Sequence, residues 1–127
     1  MQFLTDIDCT VAEFKDVDLL SFLNWNPVAY SLSMHENIQE LQFEQCKLWD
    51  NEFAAICKEL SFLKKLKSVN FSRNEISNIG IDYFSDFLKS FSNKLNLIDF
   101  SGNPIKDEGI QSLASAIGEK VEKSYKT

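Results

Sequence analysis

One pattern recurs along this chain at a nearly fixed distance, and that recurrence limits the fold more than any other feature. Ile38-Gln39-Glu40-Leu41-Gln42-Phe43-Glu44-Gln45-Cys46-Lys47-Leu48 returns as Leu66-Lys67-Ser68-Val69-Asn70-Phe71-Ser72-Arg73-Asn74-Glu75-Ile76. It returns again, after an almost equal interval, as Leu95-Asn96-Leu97-Ile98-Asp99-Phe100-Ser101-Gly102-Asn103-Pro104-Ile105. Each copy opens with apolar residues two apart, as in Leu41/Phe43, the mark of a half-buried strand. The apolar spacing then changes to three and four at Phe53/Ile56/Leu60, repeated at Ile81/Phe84/Leu88 and Ile110/Leu113/Ile117, the stripe of an amphipathic helix. A single strand–helix unit of this size cannot bury its own apolar face, but stacked units make one continuous core.

Asp50, Ser77 or Asn78, and Lys106-Asp107 supply the predicted helix starts, because Asp, Ser and Asn accept from free N–H groups. Gly80 and Gly109 recur at one position of the helix, where the first of the three copies has Glu52. A fourth, degenerate copy is read at Leu4-Thr5-Asp6-Ile7-Asp8-Cys9-Thr10-Val11-Ala12-Glu13-Phe14, followed by Leu19 and Phe22. In that alignment Ala12 takes the Asn/Cys position, and six extra residues fall within 24–37, where Pro27 interrupts the helix.

The three clear copies match LxxLxLxx(N/C)xL, and the chain resembles the leucine-rich repeats, with a 28/29-residue period similar to the ribonuclease-inhibitor type. The resemblance implies an α/β fold: one short right-handed solenoid over residues 1–127, with parallel strands on the concave side and helices on the convex side. About four repeats are expected, at 4–37, 38–65, 66–94 and 95–120, with a charged tail at 118–127. It also implies that Cys46, Asn74 and Asn103 face inward and bond neighbouring backbone. Met1, Phe3 and the 24–37 insertion are the candidate cover for the first end, and Val121 and Tyr125 for the last.

Strand residues between the core positions point to the concave face. These are Glu40, Gln42 and Glu44, then Ser68, Asn70 and Ser72, then Leu97, Asp99 and Ser101, with Asp6, Asp8 and Thr10 from the degenerate copy. Asp8, Gln42, Asn70 and Asp99 form the predicted polar column, suited to a basic protein segment. Leu97 stands out as an apolar residue where the other copies have Glu40 and Ser68. Trp49 stands out in the same way, where the register has Lys15, Ser77 and Lys106.

Charge argues against a nucleic-acid partner. The chain carries 13 Lys+Arg against 19 Asp+Glu, and residues 1–59 alone hold eleven acids and three bases. The N-terminus lacks a basic region followed by an apolar one, and no apolar run is long enough to span a bilayer, so neither secretion by a leader nor membrane insertion is expected. Cys9, Cys46 and Cys57 are odd in number and show no metal-ligand spacing, which points to a reduced, cytoplasmic setting without a structural metal. His35 is the only histidine, so a nucleophilic triad would have to be built on it. With no phosphate loop and no metal-spaced cluster, neither catalysis nor a cofactor is expected. Asn70-Phe71-Ser72 matches a glycosylation acceptor but falls on a strand.

The resemblance implies protein–protein recognition on the inner curve or its rims. Arg73, the sole arginine, sits at a rim where a GTPase-activating finger would be needed. Two functional expectations follow: a recognition module for a basic segment of a protein partner, or a self-associating piece of solenoid that dimerises through its end repeats.

Overall fold

The computed structural model describes residues 11–15, 36–91, 93–118 and 125–126 of the 127. Strands β1 (Val11–Lys15), β2 (Glu40–Glu44), β3 (Ser68–Asn70), β4 (Leu97–Asp99) and β5 (Tyr125–Lys126) form one parallel sheet in chain order. Helices α1 (Asp50–Leu60), α2 (Asn78–Ser90) and α3 (Asp107–Ile117) follow β2, β3 and β4. The result is the short α/β solenoid that the repeats imply.

The register corrects one expectation. Val11 pairs with Glu40, Ala12 with Leu41 and Glu13 with Gln42, so the first strand lies further along the chain than the degenerate alignment puts it, with Val11 where that alignment has Asp6. Ala12 therefore fills the core position opposite Leu41 and does not substitute for the turn Asn/Cys. The strand starts at Val11, Glu40, Ser68 and Leu97 are evenly spaced to within a single position, and no insertion is needed to bring β1 into line. Asp6, Asp8 and Thr10 lie outside the described residues, as do Cys9, His35, Met1, Phe3, Val121 and most of 24–37. At the other end, Tyr125 and Lys126 pair with Ile98 and Asp99, so the tail returns to the sheet as its last strand.

The core is a column of phenylalanines. Phe43 and Phe71 stack with centroids 5.8 Å apart and planes at 7°, and Phe71 and Phe100 at 5.5 Å and 19°. From the helical side Phe53 presents its edge to Phe71 at 4.8 Å, and Phe84 to Phe100 at 5.0 Å, an arrangement that suits the ring quadrupoles. Leu41, Val69 and Ile98, two residues earlier on each strand, are buried beside them.

At the turns after β3 and β4, a side-chain amide replaces the ladder that the chain has left. Asn74 is 3% exposed; its Oδ1 accepts from the N–H groups of Cys46 (2.9 Å) and Leu48 (3.1 Å). Its Nδ2 donates to the carbonyls of Phe43 (2.7 Å), Phe71 (2.9 Å) and Ser72 (3.1 Å). Asn103 repeats the arrangement one repeat on, accepting from Ile76 N–H and donating to Phe71 and Phe100 carbonyls. Cys46, at the same place in the preceding repeat, donates its thiol to the Glu44 carbonyl at 3.3 Å.

A second ladder, at the helix starts, is not evident from the apolar pattern. Asp50 does not cap its own helix; its Oδ1 accepts from Ser77 N–H (2.8 Å) and Gly80 N–H (3.1 Å) of the next repeat, and its Oδ2 from Ser77 Oγ (2.5 Å). It thus supplies the negative charge that α2 lacks in its own first turn. Asn78 Oδ1 accepts from Lys106 N–H in the same way. This explains the two helical glycines: a Cβ on Gly80 would lie 2.6 Å from Asp50 Oδ1 and 2.7 Å from Ile76 Cγ2, and one on Gly109 would collide with Asn78 Oδ1. Gly80→Ala should therefore destabilise the fold by about 1–3 kcal/mol, although alanine is the better helix former. In an Asp50→Ala background the loss should be smaller, and a urea-denaturation double-mutant cycle showing strict additivity would refute the contact.

Candidate functional site: the open face of the sheet and its rim

Side chains that alternate with the core residues line the other face of the sheet, which no helix among the described residues covers. Register sets them in rows across the strands. Val11, Glu40, Ser68 and Leu97 make the first row, Glu13, Gln42, Asn70 and Asp99 the second, with Lys126 at the position beyond Asp99. Lys15 stands opposite Glu44 at the next position. The predicted column headed by Asp8 is thus headed by Glu13, and β1 contributes Val11 and Glu13 where Asp6 and Asp8 were expected. The face is less acidic than the degenerate alignment implies.

The second row is partly committed to the fold. Asn70 Oδ1 accepts from Ser72 N–H at 2.8 Å, and Asp99 Oδ1 accepts from Ser101 N–H at 2.9 Å and Ser101 Oγ at 2.6 Å. These short side-chain-to-backbone loops close the strand ends. Gln42 and Glu44 are partly buried, and Glu40 and Glu13 are exposed.

The first row is different. Val11, 43% exposed, and the half-buried Leu97 stand three strands apart, about 14 Å at a strand spacing of about 4.8 Å. Between and beside them lies a groove of 310 Å³, lined also by Gln39, Glu40, Lys67, Ser68 and Asn96. Glu40 and Leu97, both singled out in the sequence, are brought together here. Val11 escapes the sequence reading because the expected register turns it away from this face.

Next to this groove, at the strands' N-terminal edge, is a notch of 250 Å³ lined by Gln39, Lys65, Leu66, Lys67, Asn93 and Lys94. Lys65 and Lys67 are neighbours in the sequence, but Lys94 joins them only through the stacking of consecutive repeats. Arg73 and Trp49 lie at the other rim, beyond the strands' C-terminal ends. Arg73 is exposed in a left-handed turn at φ 59°, the position held by Gln45 (φ 55°) and Gly102 (φ 75°) in the neighbouring repeats. Trp49 is 52% exposed and occupies the helix-cap position held by Ser77 and Lys106 in the other repeats.

Cys46 and Cys57 are both buried, and burial pushes the Cys57 thiol pKa well up, the opposite of what a nucleophile needs. Among the described residues no group of His, Cys, Asp and Glu is placed to hold a metal, and no helix is long and apolar enough to cross a membrane.

The family model described as "Leucine Rich repeat" matches residues 62–85 and 91–114, two windows that cover corresponding parts of consecutive repeats. No curated protein matches the chain. Among solved structures, the one titled "Leiomodin-1 Actin-Binding Site 2 (ABS2)" superposes with a TM-score of 0.71 at 17% sequence identity, over 89% of this chain and 69% of that one. At that identity the likeness is one of fold.

Proposed function

We propose that this short leucine-rich-repeat solenoid is a non-catalytic recognition module, and that a segment of a protein partner lies across the open face of its sheet in a reducing intracellular setting. The repeats are read as the ribonuclease-inhibitor type, which the near-constant strand spacing and a full α-helix after each of β2, β3 and β4 support. The observation that carries the functional reading is the groove between Val11 and Leu97. It is the place on the open face where apolar side chains flank a depression and are rimmed by charge, the composition of a small docking site. Glu13, Glu40 and Glu44 favour basic residues in the part of the segment that continues along the strands. Actin binding belongs to the printed title of the leiomodin structure, and a protein partner of that general kind is consistent with this reading.

The test uses peptides selected from a random dodecapeptide display library on the full chain. Leu97→Glu should weaken the enriched peptides by roughly tenfold or more, as expected for a central anchor, while Ile79→Glu, 62% exposed on helix α2, should leave them unchanged. Equal affinity for the Leu97→Glu variant would sink the reading. Light scattering on the same samples addresses the alternative, in which the last repeat self-associates through Ile110. That residue is 37% exposed, whereas its counterparts Phe53 and Ile81 are fully buried, and a mass rising with concentration would favour this route.

A further inference from the structure

We infer that the lysine-lined notch beside the groove binds acidic side chains of the same partner segment, so that the partner is bipolar: acidic where it crosses the strands' N-terminal edge, apolar over Val11 and Leu97, and basic beyond. This rests on the groove reading above and adds a second surface to it. The groove and the notch share Gln39 and Lys67, so they form one continuous path from the open face over its rim. Three of the six residues lining the notch are lysines and none is acidic, in a chain whose net charge is −6. Such a local reversal of sign is the usual basis of charge complementarity with a partner.

Much of the polar surface around the notch is already paired within the fold. Lys67 and Ser68 donate their N–H groups to the Gln39 carbonyl at 2.7 and 3.1 Å, and Asn96 N–H donates to the Lys67 carbonyl at 2.5 Å. The Asn93 side chain donates to the Lys64 carbonyl, and Lys65 Nζ donates to Asn37 Oδ1 at 2.8 Å. Among the described residues the ammonium groups of Lys67 and Lys94 have no hydrogen-bond or ion-pair partner, so what the notch offers a ligand is positive charge. A long polyanion fits poorly, because it would extend past this small area onto a chain whose net charge is negative. A short acidic stretch of protein, held in place by an apolar anchor next door, meets both conditions. The path from Lys67 along the strands to the level of Glu44, five residues at about 3.3 Å each, is roughly 17 Å, the reach of about five extended residues or about eleven helical ones.

The same display selection decides the matter. Peptides enriched on the full chain should carry two or more Asp or Glu on one side of an apolar residue and Lys or Arg on the other. A double variant, Lys67→Glu with Lys94→Glu, should weaken them roughly tenfold at low salt, with less effect at high salt. Exchanging the peptide's acids for lysines should restore binding to that variant, a rescue that loss of folding cannot imitate; circular dichroism of the variant checks the fold directly. Peptides sensitive to Leu97→Glu but indifferent to the lysine reversals would overturn the notch and leave the groove standing. Peptides indifferent to both, or no enrichment at all, would overturn both readings, and preferential binding of a single-stranded oligonucleotide over every peptide would replace the acidic segment with nucleic acid.

Discussion

Phe71→Ala is expected to lower the free energy of unfolding by about 3–5 kcal/mol in equilibrium urea denaturation, while Phe62→Ala should change it by no more than about 0.5 kcal/mol. The two substitutions delete the same atoms at sites that differ only in surroundings. Phe62 is 56% exposed, whereas Phe71 is fully buried and its ring meets four others, stacking on Phe43 and Phe100 and meeting Phe53 and Phe84 edge to face. Its removal opens a cavity between two repeats, and the flanking rings, each fixed by its own strand or helix, have little freedom to close it. In a solenoid, stability is close to a sum of repeat and interface terms, so damage at an inner repeat weakens its interfaces on both sides. A loss below about 1 kcal/mol for Phe71→Ala would mean that the stack is not the centre of the core.

The phenylalanine column shows how far sequence periodicity reaches. Phe43, Phe71 and Phe100 are legible because each sits at a fixed place in the recurring pattern, and the buried helical positions Phe53, Ile56 and Leu60 follow from the same count. The first strand is misplaced by that reading because apolar alternation alone cannot tell Ile7/Cys9 from Ala12/Phe14, and a small residue at a core position reads as weak signal. Backbone pairing distinguishes them, and stepping one full repeat back from Glu40 leads to Val11.

The site is legible only in part, for related reasons. Glu40 and Leu97 follow from the strand alternation, but Val11 depends on the corrected register, and the lysine notch depends on Lys94 reaching Lys65 and Lys67 across a repeat boundary. Asp50 and Asn78 show the same limit. Each looks like a cap for its own helix, and only the three-dimensional stacking reveals that each serves the next repeat instead. An Asp or Asn that recurs once per repeat at the helix start, followed in the next helix by a glycine near its first turn, is the pattern that would expose this ladder.

Asn74→Ala is expected to destabilise the chain by about 2–4 kcal/mol, because two buried N–H groups, those of Cys46 and Leu48, lose their acceptor, at about 1–3 kcal/mol for each unsatisfied group with partial relaxation. Asn103→Ala should cost less, since Asn103 is partly exposed and its oxygen accepts from the N–H of Ile76 alone. Asn74→Asp separates shape from hydrogen bonding. It keeps an oxygen toward Cys46 and Leu48 but turns a second oxygen, in place of the donating Nδ2, toward the carbonyls of Phe43, Phe71 and Ser72. Placing a carboxylate against three carbonyl oxygens in a buried turn is unfavourable on both solvation and repulsion grounds. Asn74→Asp should therefore be at least as damaging as Asn74→Ala at neutral pH, although it is nearly isosteric with the native residue. If urea denaturation instead ranked aspartate close to the native asparagine, the ladder would be a matter of shape, and the bonds donated by Nδ2 would contribute little to holding consecutive repeats together.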